Sequence, residues 1–160
     1  MAGILPYIQD KNGGIYFLFG RERINNNIAC ADHGLWSDFG GSRDKGETLK
    51  TCAIREELCG FLSKSLIKEC ITSEISIKTY TTFLVYLDYD KHQSLHEYLN
   101  AHYEFMSKHP QIKPLIKDPN NGLYEKDKFD WFSLKDIREK REQFRPFYRD
   151  VLDLIVAEFG

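Results

Sequence analysis

The sequence predicts a single α/β domain, in which strands and amphipathic helices follow one another along the chain. Residues 2–8 and 15–20 are apolar and flank a turn signal rich in glycine, which is typical of a β-hairpin. Residues 80–87 are β-branched or aromatic almost throughout and indicate a central strand. Residues 94–106 and 144–159 carry apolar side chains at helical spacing, and therefore predict helices that pack on a sheet.

Composition and charge restrict the classes of protein that fit. With 160 residues, 42% of them hydrophobic, we expect residues 1–160 to form one domain with its own core. The net charge of -2 argues against a general nucleic-acid-binding protein, which is usually basic. We expect neither an export signal nor a membrane span. Four cysteines without metal-binding spacing predict reduced thiols and a cytoplasmic protein.

The most informative stretch is 38–61, which predicts a short strand, a glycine-rich loop and a helix. The glycines of loop 40–46 permit positive φ angles and a close approach of the backbone to a ligand. Thr48 can cap the helix that follows, and the helix is predicted to run to Cys59 because Gly60 is a typical terminator. A strand, a glycine-rich loop and a helix in this order predict a ligand site.

This stretch resembles the Nudix box, whose pattern is Gly-x5-Glu-x7-Arg-Glu-U-x-Glu-Glu-x-Gly-U, where U is an aliphatic residue. In an alignment without gaps, four residues match the first Gly, the first Glu, the Arg and the Glu after it: Gly41, Glu47, Arg55 and Glu56. The resemblance implies the Nudix-type α/β/α sandwich with a mixed sheet. The predicted hairpin, box helix, central strand and closing helix fit that fold over most of the chain.

The resemblance fails after Glu56. In the gapless alignment Cys59 and Gly60 replace the paired glutamates, so one of the three metal-binding carboxylates on a helical face remains. An alignment with two residues deleted instead matches Glu57 to the second-last glutamate and Leu58 to the last. Two residues rotate a helix by about 200°, so Glu57 does not simply take over the lost position.

The resemblance implies a hydrolase that cleaves a diphosphate bond in a nucleoside diphosphate linked to another moiety, with Mg²⁺ or Mn²⁺ as the cofactor. It implies that Glu56 is the metal ligand or base, and that Glu57 and Glu125 are further catalytic carboxylates. Asp127 is the second candidate for the role of Glu125, because both precede a Trp-Phe strand. Metal ligation is expected from Glu56, Glu57 and the carbonyl oxygen of Gly41.

The end of the second strand and the glycine loop are the regions that approach the substrate in Nudix relatives. The resemblance therefore implies these residues for substrate binding: Arg21, Arg23, Gly40 and Gly41. The alternative for the two arginines is a charged strand end in solvent. Glu47 and Arg55 are predicted to play a supporting part, as an ion pair that holds the loop on the helix.

Three other features have a ligand-binding interpretation and a plainer one. Trp36 could stack on a base, but a strand tryptophan beside Phe39 is expected in the core. His92 and His96 are one helical turn apart, but no third ligand is evident, and we expect surface histidines. A basic cluster near the C-terminus either holds a phosphate-rich ligand or RNA or forms a solvated face: Lys135, Arg138, Lys140, Arg141 and Arg145.

A rival interpretation is a catalytically impaired Nudix-fold protein that binds a nucleotide or a protein partner without hydrolysing it. The missing carboxylates favour it, because hard cations need several oxygen ligands. The number of carboxylates on the box helix discriminates between the two interpretations. For the hydrolase, the expected partner is a small-molecule nucleotide. A homodimer is compatible with the resemblance, because Nudix relatives are often dimers.

Overall fold

The computed structural model describes residues 1–24, 32–55, 62–111 and 126–160. In these ranges seven strands form one mixed sheet, and helices cover both of its faces, so the predicted α/β/α arrangement is confirmed. The strands are β1 Ala2–Gln9, β2 Ile15–Glu22, β3 Trp36–Ser37, β4 Phe39–Gly41, β5 Ile71–Ile77, β6 Tyr80–Tyr86 and β7 Lys126–Ser133. The helices are α1 Leu49–Arg55, α2 Lys64–Cys70, α3 Tyr89–His92, α4 Leu95–Lys108, α5 Leu134–Glu139 and α6 Pro146–Phe159.

Strand β1 organises the sheet. It pairs antiparallel with β2, which confirms the predicted hairpin, and parallel with β6, whose other edge carries β5. Strand β2 pairs antiparallel with β3 and β7, and β4 pairs with the first residues of β1. Strand β6 therefore has a neighbour on each side, as its β-branched and aromatic sequence predicts.

Alternating side chains of the strands feed two separate cores. On one face, Ile4 and Phe83 pack with Cys52 of α1, Ile67 of α2 and Leu99 of α4. On the other face, an aromatic core packs against α5 and α6: Leu5, Phe17, Phe19, Leu84, Phe132, Ile137, Phe144, Tyr148 and Val151. None of the described helices has the length and apolar character that a membrane crossing requires.

Residues 63–78, in which helical and strand patterns overlap, contain one element of each kind. Ser63 caps α2, since its hydroxyl accepts a hydrogen bond from the Leu66 amide at 3.1 Å. Strand β5 begins directly after Cys70 and pairs with β6. The pairing of β5 with β6 therefore determines where α2 ends. The local spacing of apolar residues does not determine this boundary.

The closing helix begins later than predicted, and part of its apolar surface stays exposed. It starts at Pro146, a favoured first helical residue, and Phe144 is fully buried before the helix begins. Phe147 and Leu154 are 38% and 43% exposed, so they lie outside the buried face of the helix. The face that packs on the sheet is formed by Tyr148, Val151, Leu152 and Ile155.

Candidate functional site

The loop after β4 folds back onto α1 through the predicted ion pair. Arg55 donates from Nε to Glu47 Oε2 at 2.8 Å and from Nη2 to Glu47 Oε1 at 3.2 Å. Its Nη2 also donates to the Ser42 carbonyl at 2.9 Å, which ties the guanidinium to the loop backbone. The Glu47 carboxylate in turn accepts the Asp44 amide at 3.0 Å. Two side chains eight residues apart thus fix the shape of the whole loop.

This arrangement determines the protonation of Glu47. Hydrogen bonding from Arg55, together with the Asp44 amide, lowers the pKa of Glu47 to about 2, because these contacts favour the carboxylate. The folded pKa lies below the ordinary value of 4.5, so the contribution to stability is full above that value and is lost as the pH falls toward about 2. At neutral pH Glu47 is an ionised anchor and does not exchange protons.

Helix α1 is capped at its first turn and contacts the glycine loop from its centre. The Thr48 hydroxyl accepts the Thr51 amide at 3.1 Å, as expected for an N-cap. Cys52 is fully buried, and its Sγ donates to the Gly41 carbonyl at 3.7 Å. The side of α1 that carries Cys52 therefore faces Gly41, the backbone position predicted to ligate metal.

Gly40 lies where β4 and β1 pair with very little space between them. Gly40 of β4 and Gly3 of β1 are register partners, and a Cβ built on Gly40 would lie 2.8 Å from the Gly3 Cα and 2.6 Å from the Ala2 carbonyl oxygen. A Cβ on either glycine would also meet the Tyr80 hydroxyl. The glycine at position 40 is therefore required by packing, whether or not a ligand approaches it.

Next to this strand pair lies the buried carboxyl group of Asp38, which the sequence analysis did not identify. Asp38 is 2% exposed, accepts a hydrogen bond from the Thr82 hydroxyl at 2.6 Å and accepts another from the Tyr80 hydroxyl. The Tyr148 hydroxyl lies beside Asp38 and Thr82 without a hydrogen bond of good geometry in the described part of the chain. Tyr80 and Thr82 alternate along β6 and so share one face, which is the available sequence signal.

Burial dominates the electrostatics of Asp38. Desolvation raises its pKa to about 6, against the opposing effects of the Thr82 and Tyr80 hydrogen bonds and of the positive charges on Lys126 and Arg145. The same burial, together with the neighbouring carboxyl group, raises the pKa of Tyr80 well above its ordinary value. Tyr80 therefore remains a hydrogen-bond donor to Asp38 throughout the neutral range.

Lys126 is a second buried charge that the sequence did not reveal. Its Nζ donates to Ser37 Oγ at 3.0 Å and to Glu22 Oε1 at 3.1 Å, and it lies 5.6 Å from the centre of the Phe39 ring. The side chain occupies the space that a Cβ on Gly20 would fill. The contacts attach the start of β7 to β2 and β3, next to the strand that leads into the loop.

Of the residues predicted to bind substrate, Arg21 is engaged within the protein. Its Nε donates to Asp127 Oδ1 at 2.7 Å, and Asp127 also accepts the Ile24 amide at 3.3 Å. Asp127, the second candidate for the late catalytic carboxylate, therefore already has a cationic partner. Arg23 is half-buried just beyond the end of β2.

The predicted catalytic carboxylates Glu56, Glu57 and Glu125 lie outside the described residues. Of the predicted metal ligands, Gly41 alone lies inside them. Its carbonyl oxygen is the kind of hard ligand that Mg²⁺ accepts, so this donor fits the implied cation. Within 1–24, 32–55, 62–111 and 126–160, no three His, Cys, Asp or Glu side chains are grouped so that they could hold a metal ion.

The other sequence candidates have structural roles. Trp36 is 7% exposed and packs edge-on against Phe132, as expected for a core residue. His92 and His96 are half-buried rather than fully on the surface, and His96 packs against Trp131. Most of the C-terminal basic cluster is occupied by carboxylates or by an aromatic ring, in the pairs Lys135–Glu139, Arg141–Asp153, Arg145–Asp32 and Lys140–Phe132.

Comparisons with known proteins bear on the fold. No family model matches the chain, and no curated protein matches it by sequence. Among solved structures, the chain is similar to a Nudix hydrolase from M. smegmatis, RenU, with a TM-score of 0.52 and 17% sequence identity. The similarity covers 98% of this chain and 85% of that chain. At this identity it shows the fold alone, and that fold is the one implied by the box residues.

Proposed function

We propose that this protein is a Nudix-type hydrolase that cleaves a diphosphate bond in a nucleoside diphosphate linked to another moiety, with a divalent metal ion. The observation that carries the proposal is the loop from Gly41 to Arg55. Residues at the box positions Glu47 and Arg55 form a two-pronged ion pair there, and Arg55 also binds the Ser42 carbonyl. This loop, held by the ion pair and joined to a Nudix-like sheet, supports the proposal more strongly than the composition or the net charge of the chain does.

The proposed roles follow from the chemistry of each group. Glu56 acts as metal ligand or base, with Glu57 and Glu125 as further carboxylates and the Gly41 carbonyl as a backbone ligand. Mg²⁺ or Mn²⁺, when bound, neutralises charge on the phosphate oxygens and lowers the pKa of the attacking water. In the predicted helix Glu56 follows Cys52 by four residues, the spacing of one helical face, and Cys52 contacts the Gly41 carbonyl.

The second candidate function is a Nudix-fold protein that binds a nucleotide or a protein partner without hydrolysis. The Arg21–Asp127 ion pair favours it, since one of the two candidate carboxylates near β7 is already neutralised. Fewer available carboxylates lower the affinity for a hard cation. The two candidates differ in turnover and share ligand binding, so one assay separates them.

The test is phosphate release, after a coupled phosphatase, from a panel of nucleoside diphosphate derivatives with Mg²⁺ or Mn²⁺. We expect metal-dependent turnover by the natural chain and a loss of about 100-fold or more in Glu56→Gln, the size typical of a lost acid–base group. Glu104→Gln is the matched control, because Glu104 is an exposed glutamate on α4 with the same change in charge.

The control variant should retain the rate of the natural chain. Absence of turnover on every compound, with ligand binding intact by calorimetry, would contradict the hydrolase proposal and leave the binding protein. Turnover that survives Glu56→Gln would instead remove Glu56 from its proposed role.

A further inference from the structure

A cavity lies between α1 and α2, beside the Glu47–Arg55 ion pair. Its volume is about 340 Å³, within the range of small-molecule sites. Helix α1 contributes Thr51, Ile54 and Arg55 to the wall, and α2 contributes Lys64, Ser65 and Lys68. The cavity therefore adjoins the loop that carries the box residues.

The charges on the wall are mostly positive. Three cationic side chains face one carboxylate, and that carboxylate, Glu47, is bound to Arg55 at 2.8 Å. The excess positive charge therefore belongs to Lys64 and Lys68. Both lysines are exposed, and in the described part of the chain neither has a carboxylate partner.

The spacing of the two lysines favours a shared anion. They are four residues apart on α2, so their side chains lie on one face and both ammonium groups can reach the same ligand. Like charges at this spacing weaken a helix, and an anion bound between them removes the repulsion. Ammonium groups supply several hydrogen-bond donors, which suits the oxygens of a phosphate.

Two arginines near the C-terminus differ from this pair. Arg141 and Arg145 have carboxylate partners at 2.8 and 2.9 Å, whereas the chain as a whole carries a net charge of -2. Among the described residues of the wall, Lys64 and Lys68 thus leave a net positive charge, opposite in sign to that of the whole protein, and such a site attracts anions. The buried Ile54 and the Thr51 and Ser65 hydroxyls complete a wall that can hold a phosphate and part of its attached group.

We propose that this cavity binds a phosphate group of the substrate that lies outside the bond being cleaved, and that Lys64 and Lys68 hold it. The inference rests on the proposed function for the identity of the ligand as a phosphorylated small molecule. It narrows the substrate class to compounds that carry at least one phosphate beyond the scissile diphosphate. Lys64 and Lys68 are then binding residues that distinguish such compounds from shorter ones.

The experiment is calorimetric titration of the full chain with inorganic tripolyphosphate in the absence of metal. We expect the double variant Lys64→Ala/Lys68→Ala to bind about tenfold or more weakly, since two charge-assisted contacts are lost. The control is Lys91→Ala/Lys108→Ala, which removes the same charge from exposed lysines of α3 and α4 outside the cavity. The control should bind within about twofold of the natural chain, because distant exposed charges are screened. Thermal unfolding establishes that both variants fold.

Equal weakening in both double variants would overturn the inference, because the effect would then be general electrostatic attraction. Absence of tripolyphosphate binding to the natural chain would overturn it as well. Selective weakening supports it even if no nucleotide is hydrolysed, in which case the hydrolase proposal alone fails. Conversely, metal-dependent hydrolysis combined with unselective tripolyphosphate binding leaves the hydrolase and removes this site.

Discussion

At Asp38, burial and hydrogen bonding act on one carboxyl group in opposite directions. Burial raises the pKa to about 6, and the Thr82 and Tyr80 hydroxyls moderate the shift. The folded pKa lies above the ordinary value of 3.8, so folding favours the protonated form. The contribution to stability is full below about 3.8 and is lost as the pH rises through about 6.

Asp38→Asn is expected to remove this pH dependence. A shift from 3.8 to about 6 corresponds to about 3 kcal/mol of unfolding free energy, lost by the natural chain between these two pH values. The asparagine does not titrate, so relative to the natural chain the variant gains stability as the pH rises. Urea unfolding at a series of pH values from 4 to 7 measures the difference.

The control for that measurement is Asp90→Asn, since Asp90 is an exposed aspartate on α3. Its unfolding free energy should follow that of the natural chain across the series. A constant difference between Asp38→Asn and the natural chain at every pH would show that the buried carboxyl group does not titrate in this range.

At the level of elements, two strand contacts each require a glycine. Gly40 permits the pairing of β4 with β1, and Gly20 permits the contact between β2 and the Lys126 side chain of β7. A Cβ on Gly40 would meet backbone atoms of β1, which cannot move without disturbing the strand pairing. A Cβ on Gly20 would meet the flexible Lys126 side chain and, at 3.1 Å, the edge of the Phe39 ring. The clash at position 40 involves backbone atoms that cannot move aside, whereas the clash at position 20 can be relieved by a movement of the Lys126 side chain.

We therefore expect Gly40→Ala to destabilise the protein more than Gly20→Ala does. Overpacking against rigid backbone costs about 1–3 kcal/mol, and Gly20→Ala should cost less by displacing Lys126 from Ser37. Urea unfolding at pH 7 compares the two variants directly. An equal or larger loss in Gly20→Ala would mean that Lys126 is held as firmly as the backbone of β1.

The elements that the sequence predicts are those defined by local patterns. The β1–β2 hairpin lies within one short stretch, and so does the Thr48 cap of α1, whose hydroxyl accepts the Thr51 amide at 3.1 Å. The Glu47–Arg55 ion pair is also local, because its two residues are eight positions apart and match the box pattern. By contrast, Asp38 contacts residues more than 40 positions away, and neighbouring residues give no indication of such partners.

The site is predictable to the same extent. The loop with its ion pair follows from the box pattern, whereas the basic wall of α2 does not, because Lys64 and Lys68 match no motif. Conversely, the C-terminal basic cluster is visible in the sequence, with an anion site or a solvated face as its two interpretations, but its Arg141 and Arg145 are neutralised by carboxylates distant in sequence. Net positive charge in a segment predicts an anion site only when the folded chain leaves that charge unpaired.

On the scale of the whole molecule, one sheet separates the two cores and supplies residues to both. All residues of β1 except Gln9 are buried, and so are all residues of β6 except Tyr86, whereas β5 buries only Ile75. The cores therefore share their central strands. Loss of either core exposes the sheet that supports the other.

We expect a single cooperative unfolding transition, as for one domain. In native-state hydrogen exchange, amides of β1 and β6 should exchange most slowly, and those of β5 faster, since exposed edges open locally. Coincident urea transitions by tryptophan fluorescence and circular dichroism test the first expectation. Two separated transitions, or protection of β5 equal to that of β6, would show that the two cores unfold independently.

The contacts of Lys126 and Asp127 fix the start of β7 within the sheet. Both residues are bound to β2 or β3, so the register of β7 is set by contacts within the sheet. A change in chain length before Lys126 should therefore leave the pairing of β7 with β2 unaltered.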